Sequence, residues 1–373
     1  MIKVYYGLSK KVLDKHYHDL FDIPTMDKEW KRIRSEISKF YSVKKIPIKI
    51  KTVLTADYPR LVEIFQTYLK WSNLPNTLIQ DIKTLFNYKS YQPLIAGFFM
   101  NPKNKFQLHV CHYCGTAYIN AYGILNDYKN KYFFIKNATP QELKKLIPGN
   151  LSDKTIQKIV NNRGTFTCLD DFDKMSCWRS NRKSDSIKLQ TDNHFDLDHE
   201  LDKDDCPLLA LSLYNFVPSC QVCNEKLKRT STIGDKNNRK ELIKLSPTSD
   251  SYDFDGNVTF SVTPKRPSTY GFLKNLKKYT IEITCHDSVF EKSVSMFRLK
   301  QRYNYHKVFA LRLLDLKERY STGSIKMISN LLQTKNPKPN HYSEKQIYED
   351  IFGVEYSAVG NRCFDKLSRD ILK

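Results

Sequence analysis

One stretch of the chain, residues 194–229, contains most of the side chains that could carry out chemistry. It holds an adjacent Asp198 and His199, then Asn215, and then a Cys-x-x-Cys motif whose second cysteine directly precedes Asn224. Alternating polar and apolar residues before the Asp-His pair predict a strand that places this pair at its end. Asn215 is expected on the partner strand and Asn224 on the first turn of a helix. This order of strand, strand and helix constrains the local fold more than any other feature.

A second Cys-x-x-Cys motif, Cys111 and Cys114, lies far upstream of the pair Cys220 and Cys223. The residues around the upstream pair predict a strand, a tight turn and a second strand. Gly115 allows the positive φ with which backbone N–H groups can point at thiolates. The upstream pair is therefore predicted to form a zinc knuckle.

The charge of the chain favours a polyanionic partner. Among 373 residues, 61 Lys+Arg against 40 Asp+Glu give a formal net charge of +21, which concentrates polyanions around the protein. Nucleic acid is the expected partner, and a merely solvated lysine-rich surface is the alternative. The hydrophobic fraction of 40% is sufficient for two or three globular cores.

Cysteine usage and hydropathy indicate a cytoplasmic protein. Of nine cysteines, four form the two Cys-x-x-Cys pairs and the others are scattered, which does not suggest a disulfide framework. A reducing compartment fits this usage best. The N-terminal residues lack the apolar run of a signal peptide, and no apolar run is long enough to cross a membrane.

The segment from Thr139 to Phe172 is predicted to form two helices. Thr139, a proline after it and Glu142 form an N-terminal capping pattern, and a second helix is expected near residues 152–162. The segment resembles a helix-hairpin-helix module, whose loop presents backbone N–H groups to a DNA phosphate. The second loop glycine of that family is absent, so a plain helical hairpin is the alternative.

The central motif resembles the HNH endonuclease family, the ββα-metal nucleases. The resemblance runs from Asp198 and His199 through Asn215 to the Cys-x-x-Cys-Asn sequence that ends at Asn224. It implies that His199 is the general base, that Asp198 and Asn224 hold a catalytic Mg²⁺ or Mn²⁺, and that Asn215 is the structural middle residue. It also implies that one structural Zn²⁺ is shared by four cysteines, namely Cys111, Cys114, Cys220 and Cys223.

These residue types suit phosphodiester hydrolysis. The reaction needs a base that activates water and a cation that neutralises charge on the phosphorane and on the leaving oxygen. A histidine beside hard oxygen ligands supplies both functions. One carboxylate and one amide oxygen suit a Mg²⁺ that keeps several of its waters.

A wider resemblance points to one branch of the family. The loop that follows His199, the upstream knuckle and the tail Asp365–Leu372 are together similar to HNH proteins of bacterial defence systems, including retron-linked and Septu-type ones. In that branch the nuclease often works with an ATPase encoded beside it. The resemblance implies an effector nuclease of anti-phage defence with an ATPase as partner protein.

Two other functions fit the cysteines less well. A zinc nucleotide deaminase needs His-x-Glu and Pro-Cys-x-x-Cys, whereas here His199 and Glu200 are adjacent and Ser219 separates the proline from the cysteine. A non-catalytic zinc-containing protein that binds nucleic acid is the main alternative. The intact Asp-His-Asn-Asn set argues against it.

We therefore predict an α+β protein, mostly helical, with a zinc-pinned ββα-metal core and a helix-hairpin-helix-like insertion. Three regions are expected. Residues 1–104 form a helical N-terminal region. Residues 105–244 form the zinc-bound nuclease core, with the helical-hairpin insertion at 138–176. Residues 245–373 form short strands and basic helices, whose cations line a nucleic-acid path or a solvated face.

Overall fold

A computed structural model gives the fold in two compact units, one made of Met1–Asn120 with Phe195–Lys373 and the other of Ala121–His194. Both units are mostly helical and contain short antiparallel strand pairs, which confirms the predicted α+β class. The structure describes residues 1–119, 121–123, 131–147, 151–177, 184, 187, 191–264, 276–335, 343–354 and 362–373.

Residues 1–104 are helical. Their helices are Lys10–His18, Ile23–Ser38, Ile50–Leu54, Tyr58–Tyr68, Asn76–Leu85 and Tyr88–Met100. Asp22 and Asp57 each begin a helix by accepting a hydrogen bond from a backbone N–H of its first turn. The apolar face of Tyr58–Tyr68 is buried in the core.

The unit Ala121–His194 has its own small core. Strand β1 (Ala121–Gly123) pairs antiparallel with β2 (Thr191–Asn193). The capping box predicted at Thr139 and Glu142 is present. The expected hairpin loop at residues 148–150 lies outside the described residues. The helices are Lys131–Asn137, Pro140–Leu146, Asp153–Asn162 and Leu169–Asp173, and the core includes Phe134, Ile135, Leu143, Ile156, Ile159 and Phe172.

The central stretch forms two strands and a helix in that order. Strand β3 (Asp196–His199) pairs antiparallel with β4 (Phe216–Ser219), with His199 opposite Phe216. Cys220 and Gln221 connect β4 to the helix Val222–Lys228. This helix has the wide hydrogen-bond spacing of a π-helix, since the N–H of Arg229 donates to the carbonyl of Asn224 at 2.7 Å.

The C-terminal part contains strand β5 (Val258–Pro264), which pairs antiparallel along its whole length with β6 (Tyr279–Cys285). The basic helices predicted for this part are interrupted between Met296 and Leu299, where Arg298 adopts a φ of 49°. The helices of this part are Arg239–Leu245, Phe254–Asn257, Glu291–Met296, Leu299–Tyr305, Lys307–Arg319, Thr322–Lys335, Glu344–Phe352 and Asp365–Leu372. Within the described ranges, no helix combines the length and the apolar character that crossing a membrane requires.

The small core of the second unit gives a test of its packing. Phe172 is 0% exposed, so Phe172→Ala should create a cavity that costs the unit about 3–5 kcal/mol. Phe133, which is 45% exposed, provides the control, and Phe133→Ala should change stability by about 0.5 kcal/mol or less. Hydrogen exchange of the helix Asp153–Asn162 measures both effects. Equal protection in the two variants would contradict the described core.

Candidate functional site

The two Cys-x-x-Cys pairs meet in space. The four Sγ atoms of Cys111, Cys114, Cys220 and Cys223 all lie within 4.8 Å of one another. Three of these side chains are buried and Cys220 is half-buried. Four sulfurs converging at this separation match the donor set of a tetrahedral site with Zn–S bonds of about 2.3 Å. The cluster could therefore hold a metal ion such as zinc, as the sequence predicted.

The turn between the first two cysteines has the expected knuckle geometry. Gly115 has a φ of +62°, and its N–H donates to the carbonyl of Cys111 at 2.9 Å. The backbone N–H and the hydroxyl of Thr116 both donate to the sulfur of Cys114, at 3.4 and 3.3 Å. These donors favour a thiolate at Cys114.

Arg302 contacts the cysteine cluster directly. Its Nη1 donates to the sulfur of Cys223 at 3.1 Å, and the adjacent Tyr303 hydroxyl donates to the carbonyl of Cys114 at 2.9 Å. The guanidinium offsets part of the negative charge that four thiolates would bring to the site. The sequence placed Arg302 among cations that could line a nucleic-acid path, and no sequence pattern marks its contact with Cys223.

The knuckle also joins segments that are distant in the chain. The N–H of Ile2 donates to the carbonyl of His112 at 2.8 Å, and the N–H of His112 donates to Pro218 of β4 at 3.2 Å. The N–H of Phe364 donates to the carbonyl of Gly115 at 2.7 Å. His112 lies outside the sulfur cluster, and burial lowers its pKa to about 4. A neutral His112 therefore links the N-terminal segment to β4.

Asp198 takes part in a buried ion pair. Its Oδ2 lies 3.0 Å from Nζ of Lys228, and the two side chains are 4% and 1% exposed. The hydroxyl of Tyr113, which lies inside the knuckle, donates to the same carboxylate. Lys228 also donates to the carbonyl of His199 at 2.8 Å. The ammonium of Lys228 thus compensates Asp198 and fixes the backbone at the end of β3.

Glu200 completes this buried network. The Tyr113 hydroxyl lies 2.8 Å from its Oε2, so one hydroxyl bridges the carboxyl groups of Glu200 and Asp198. Burial raises the pKa of Glu200 to about 8, against a smaller opposing effect of Lys228. Glu200 is therefore mostly protonated at neutral pH. One ammonium, one carboxylate and one neutral acid then carry no net charge, which lowers the cost of burying them.

His199 is held in one tautomer. Its Nε2 lies 3.0 Å from the carbonyl oxygen of Ala210, which can only accept, so Nε2 carries the proton. The rings of Tyr88 and Phe216 pack edge-on against the imidazole, with centroids at 4.6 and 4.9 Å. Burial lowers the pKa of His199 to about 3. The ring is therefore neutral at pH 7, and Nδ1 has a free lone pair.

Asn215 ties together the loop that follows β3. Its Oδ1 accepts from the N–H of Leu201 at 2.8 Å. Its Nδ2 donates to the carbonyls of Leu201 and Leu209, at 2.9 and 3.2 Å. Asn215 was predicted to lie on the partner strand. It is instead the last residue of the short helix Leu213–Asn215, directly before β4. It fixes the loop that carries Ala210, the hydrogen-bond partner of His199.

Asn224 contacts Asp196. Its Nδ2 donates to Oδ2 of Asp196 at 3.2 Å, which leaves the amide oxygen of Asn224 available. Asp196 and Asp198 are two residues apart on β3, so both side chains lie on one face of the strand. The structure thus pairs Asn224 with Asp196 and pairs Asp198 with Lys228. The sequence predicted the combination of Asp198 and Asn224 and overlooked Asp196, although the Asp-x-Asp-His spacing could have indicated it.

An open cleft of about 230 Å³ brings these groups together. Arg229 lies on its wall with φ of 53° and ψ of −126°, a conformation that is strained for any residue with a side chain. Such strain is common at functional sites. The polar side chains that line the cleft include Asp196, Asp198, His199, Asp202, Lys203, Asn224, Glu225 and Arg229.

Comparisons with protein-family models, with curated proteins and with solved structures give no match. In the part of the chain that the structure describes, the cysteine cluster is the only convergent group of three or more His, Cys, Asp or Glu side chains. Within those residues, the carboxylates that line the cleft form no such group.

The cysteine cluster gives a prediction of metal content. The purified protein should contain about one tightly held zinc per chain, as four thiolates form one tetrahedral site. The double variant Cys111→Ser with Cys114→Ser should lose it, measured by elemental mass spectrometry. The variant Cys168→Ser changes an exposed cysteine outside the cluster and should keep its zinc. Zinc retained in the double variant would show that the two pairs do not form one site.

The buried ion pair gives a prediction of stability. Lys228→Met should lower the free energy of unfolding by about 3–5 kcal/mol, since it leaves Asp198 buried without its cation. Adding Asp198→Asn should restore part of the loss. Lys226 is exposed on the same helix, and Lys226→Met should change stability by about 0.5 kcal/mol or less. Similar denaturant midpoints for Lys228→Met and Lys226→Met would contradict the described pair.

Proposed function

We propose that the protein is a metal-dependent endonuclease of the HNH type that hydrolyses phosphodiester bonds in DNA. The observation that carries this proposal is the neutral His199, held in one tautomer at the end of β3 in the same cleft as Asp196 and Asn224. The succession of β3, β4 and the helix Val222–Lys228 supports it, since the same order characterises the family that the sequence resembles.

His199 would act as the general base. Its Nε2 donates to Ala210, so Nδ1 is the atom that can accept a proton from an attacking water. The low pKa keeps this nitrogen unprotonated at neutral pH. Asn215 contributes indirectly, because it fixes the loop that presents the carbonyl of Ala210. Asn215 is therefore a positioning residue, and His199 is the catalytic residue of the proposal.

A catalytic Mg²⁺ or Mn²⁺ would be held by oxygen atoms on one side of the cleft. Asn224 offers its amide oxygen, and Asp196 lies within hydrogen-bond distance of the same side chain. Asp198, the ligand that the family resemblance implies, lines the cleft but is paired with Lys228. Two or three such oxygens fit a hard cation that keeps several waters. When bound, the cation would neutralise charge that develops on the phosphate.

Two cations of the cleft would bind the phosphate backbone. Lys203 and Arg229 line the same cleft as His199. The chain as a whole carries a formal net charge of +21. Binding through phosphate contacts is sequence-tolerant and weakens as salt rises. The helices Pro140–Leu146 and Asp153–Asn162, whose sequence resembles a helix-hairpin-helix module, would add contacts to the phosphate backbone.

The structural ion of the cysteine cluster is zinc in this proposal. The likeness of the sequence to defence-associated HNH proteins supports the role of an effector nuclease in anti-phage defence, with an ATPase as its partner. Cleavage of plasmid DNA by the purified chain, with and without the product of any neighbouring ATPase gene, tests that role. Cleavage that never depends on a partner would remove the ATPase from the proposal.

A second candidate function is a non-catalytic zinc-containing protein that binds nucleic acid. The burial of His199 favours it, because the residue is only 7% exposed and its ring packs against those of Tyr88 and Phe216. A histidine in such a position could be part of the core. Under this alternative the protein binds DNA but does not cut it, with or without added metal.

Substitution of His199 separates the two functions. His199→Ala should lower the rate of plasmid cleavage by about 10²- to 10⁴-fold, because a general base acts in the transition state. Fold, zinc content and DNA affinity should stay near those of the wild type. The rate is measured on supercoiled plasmid with Mg²⁺ or Mn²⁺.

Metal titration supplies the control for this experiment. Asn224→Ala and Asp196→Ala should lose activity through the cation, and high Mn²⁺ should restore part of it. Added Mn²⁺ should not restore His199→Ala, because a cation does not replace a proton acceptor. The same titration of Asp198→Asn shows which carboxylate of β3 holds the cation, since activity restored by high Mn²⁺ is expected only for a variant of a metal ligand. A wild-type cleavage rate in His199→Ala would refute the proposed base.

A further inference from the structure

A second pocket, of about 600 Å³, lies between the N-terminal helices and Arg239 and shares no lining residue with the cleft around His199. Its volume falls in the range of about 300–1,000 Å³ that is usual for small-molecule sites. The side chains that define it come from three separate segments. They are Tyr41, Lys44, Lys45, Lys70, Trp71 and Arg239.

The positive charge of this pocket is only partly compensated. Lys45 lies 3.5 Å from Glu63, the single acidic side chain of the lining, and Arg60 binds the same carboxylate. Within the described residues, none of Lys44, Lys70 and Arg239 is paired with a carboxylate. Cations that converge on a concave surface without counter-charges favour the binding of an anion.

Aromatic rings form the floor of the same pocket. Trp71 and Tyr41 stack with centroids 6.0 Å apart and an interplanar angle of 27°. The N–H of Asn73 donates to the hydroxyl of Tyr41 at 2.7 Å, which fixes the orientation of that ring. Tyr41 remains half-buried, whereas Trp71 is 7% exposed. Tyr41 lines the pocket and is not fully covered by Trp71, so its ring is available for stacking with a flat ring.

We propose that this pocket binds a nucleotide, with its phosphate on Lys44, Lys70 and Arg239 and its base stacked against Tyr41. Uncompensated cations beside a fixed aromatic ring match the two parts of this ligand, the charged phosphate and the π-face of the base. A free nucleotide and a nucleotide within a single strand share this chemistry. The site is distinct from the proposed nuclease cleft and does not depend on cleavage.

Binding is tested on the full-length protein without added divalent metal. The probes are ATP, a short single-stranded oligonucleotide and adenosine, titrated by calorimetry and by tryptophan fluorescence. The phosphorylated probes should bind and perturb the fluorescence, and Trp71→Phe should remove that signal. Adenosine should bind much more weakly, because it lacks the phosphate. Tight binding of ATP would identify a free nucleotide as the ligand, and binding of the oligonucleotide alone would identify a strand.

A charge-matched pair of variants locates the site. Lys44→Glu with Lys70→Glu should weaken binding about tenfold or more, since like charges would face the phosphate. Lys28→Glu with Lys83→Glu changes two exposed lysines outside the pocket by the same total charge and should leave the affinity unchanged.

Equal losses in the two double variants, or failure of both phosphorylated probes to bind, would overturn this inference. The fluorescence response should persist in His199→Ala. Failure of the nuclease proposal and failure of the nucleotide site are therefore observed in separate experiments.

Discussion

The structure depends first on the convergence of four thiols that come from two distant parts of the chain. The sulfurs of Cys111 and Cys114 lie within 4.8 Å of those of Cys220 and Cys223, and a bound cation would turn this contact into a cross-link. The knuckle that carries the first pair also bonds to the N-terminal segment, to β4 and to the residues before the last helix. The knuckle thus holds the N-terminal segment, the residues before the last helix and strand β4 close to the cysteine cluster.

The same knuckle reaches the cleft through Tyr113. Its hydroxyl bridges Asp198 and Glu200, and Lys228 closes the network from the helix that follows the second cysteine pair. Each of these groups is costly to bury alone, and together they are compensated. The cysteine cluster and the cleft therefore share one polar core. A substitution in that core would alter both stability and the position of His199.

Local features of the structure were predictable because they depend on neighbouring residues. The capping box at Thr139 and the positive φ of Gly115 follow from side chains within a few positions of each other. Contacts across the fold have no such pattern. Nothing in the sequence indicates that Arg302 binds the sulfur of Cys223 or that Lys228 binds Asp198. Asn224 donates to Asp196, whereas Asp198 is paired with Lys228. The spacing of the two carboxylates on β3 does not indicate which of them each partner takes.

We propose that the cleft beside His199 binds a catalytic cation that is distinct from any ion held by the cysteine cluster. X-ray diffraction from crystals soaked in Mn²⁺, with data collected on both sides of the manganese and zinc absorption edges, tests it directly. We expect a zinc peak among the four sulfurs and a manganese peak beside Asn224 and Asp196. Zinc at the cysteines without a manganese peak in the cleft would contradict this proposal. It would favour a purely structural role for the stretch 194–229.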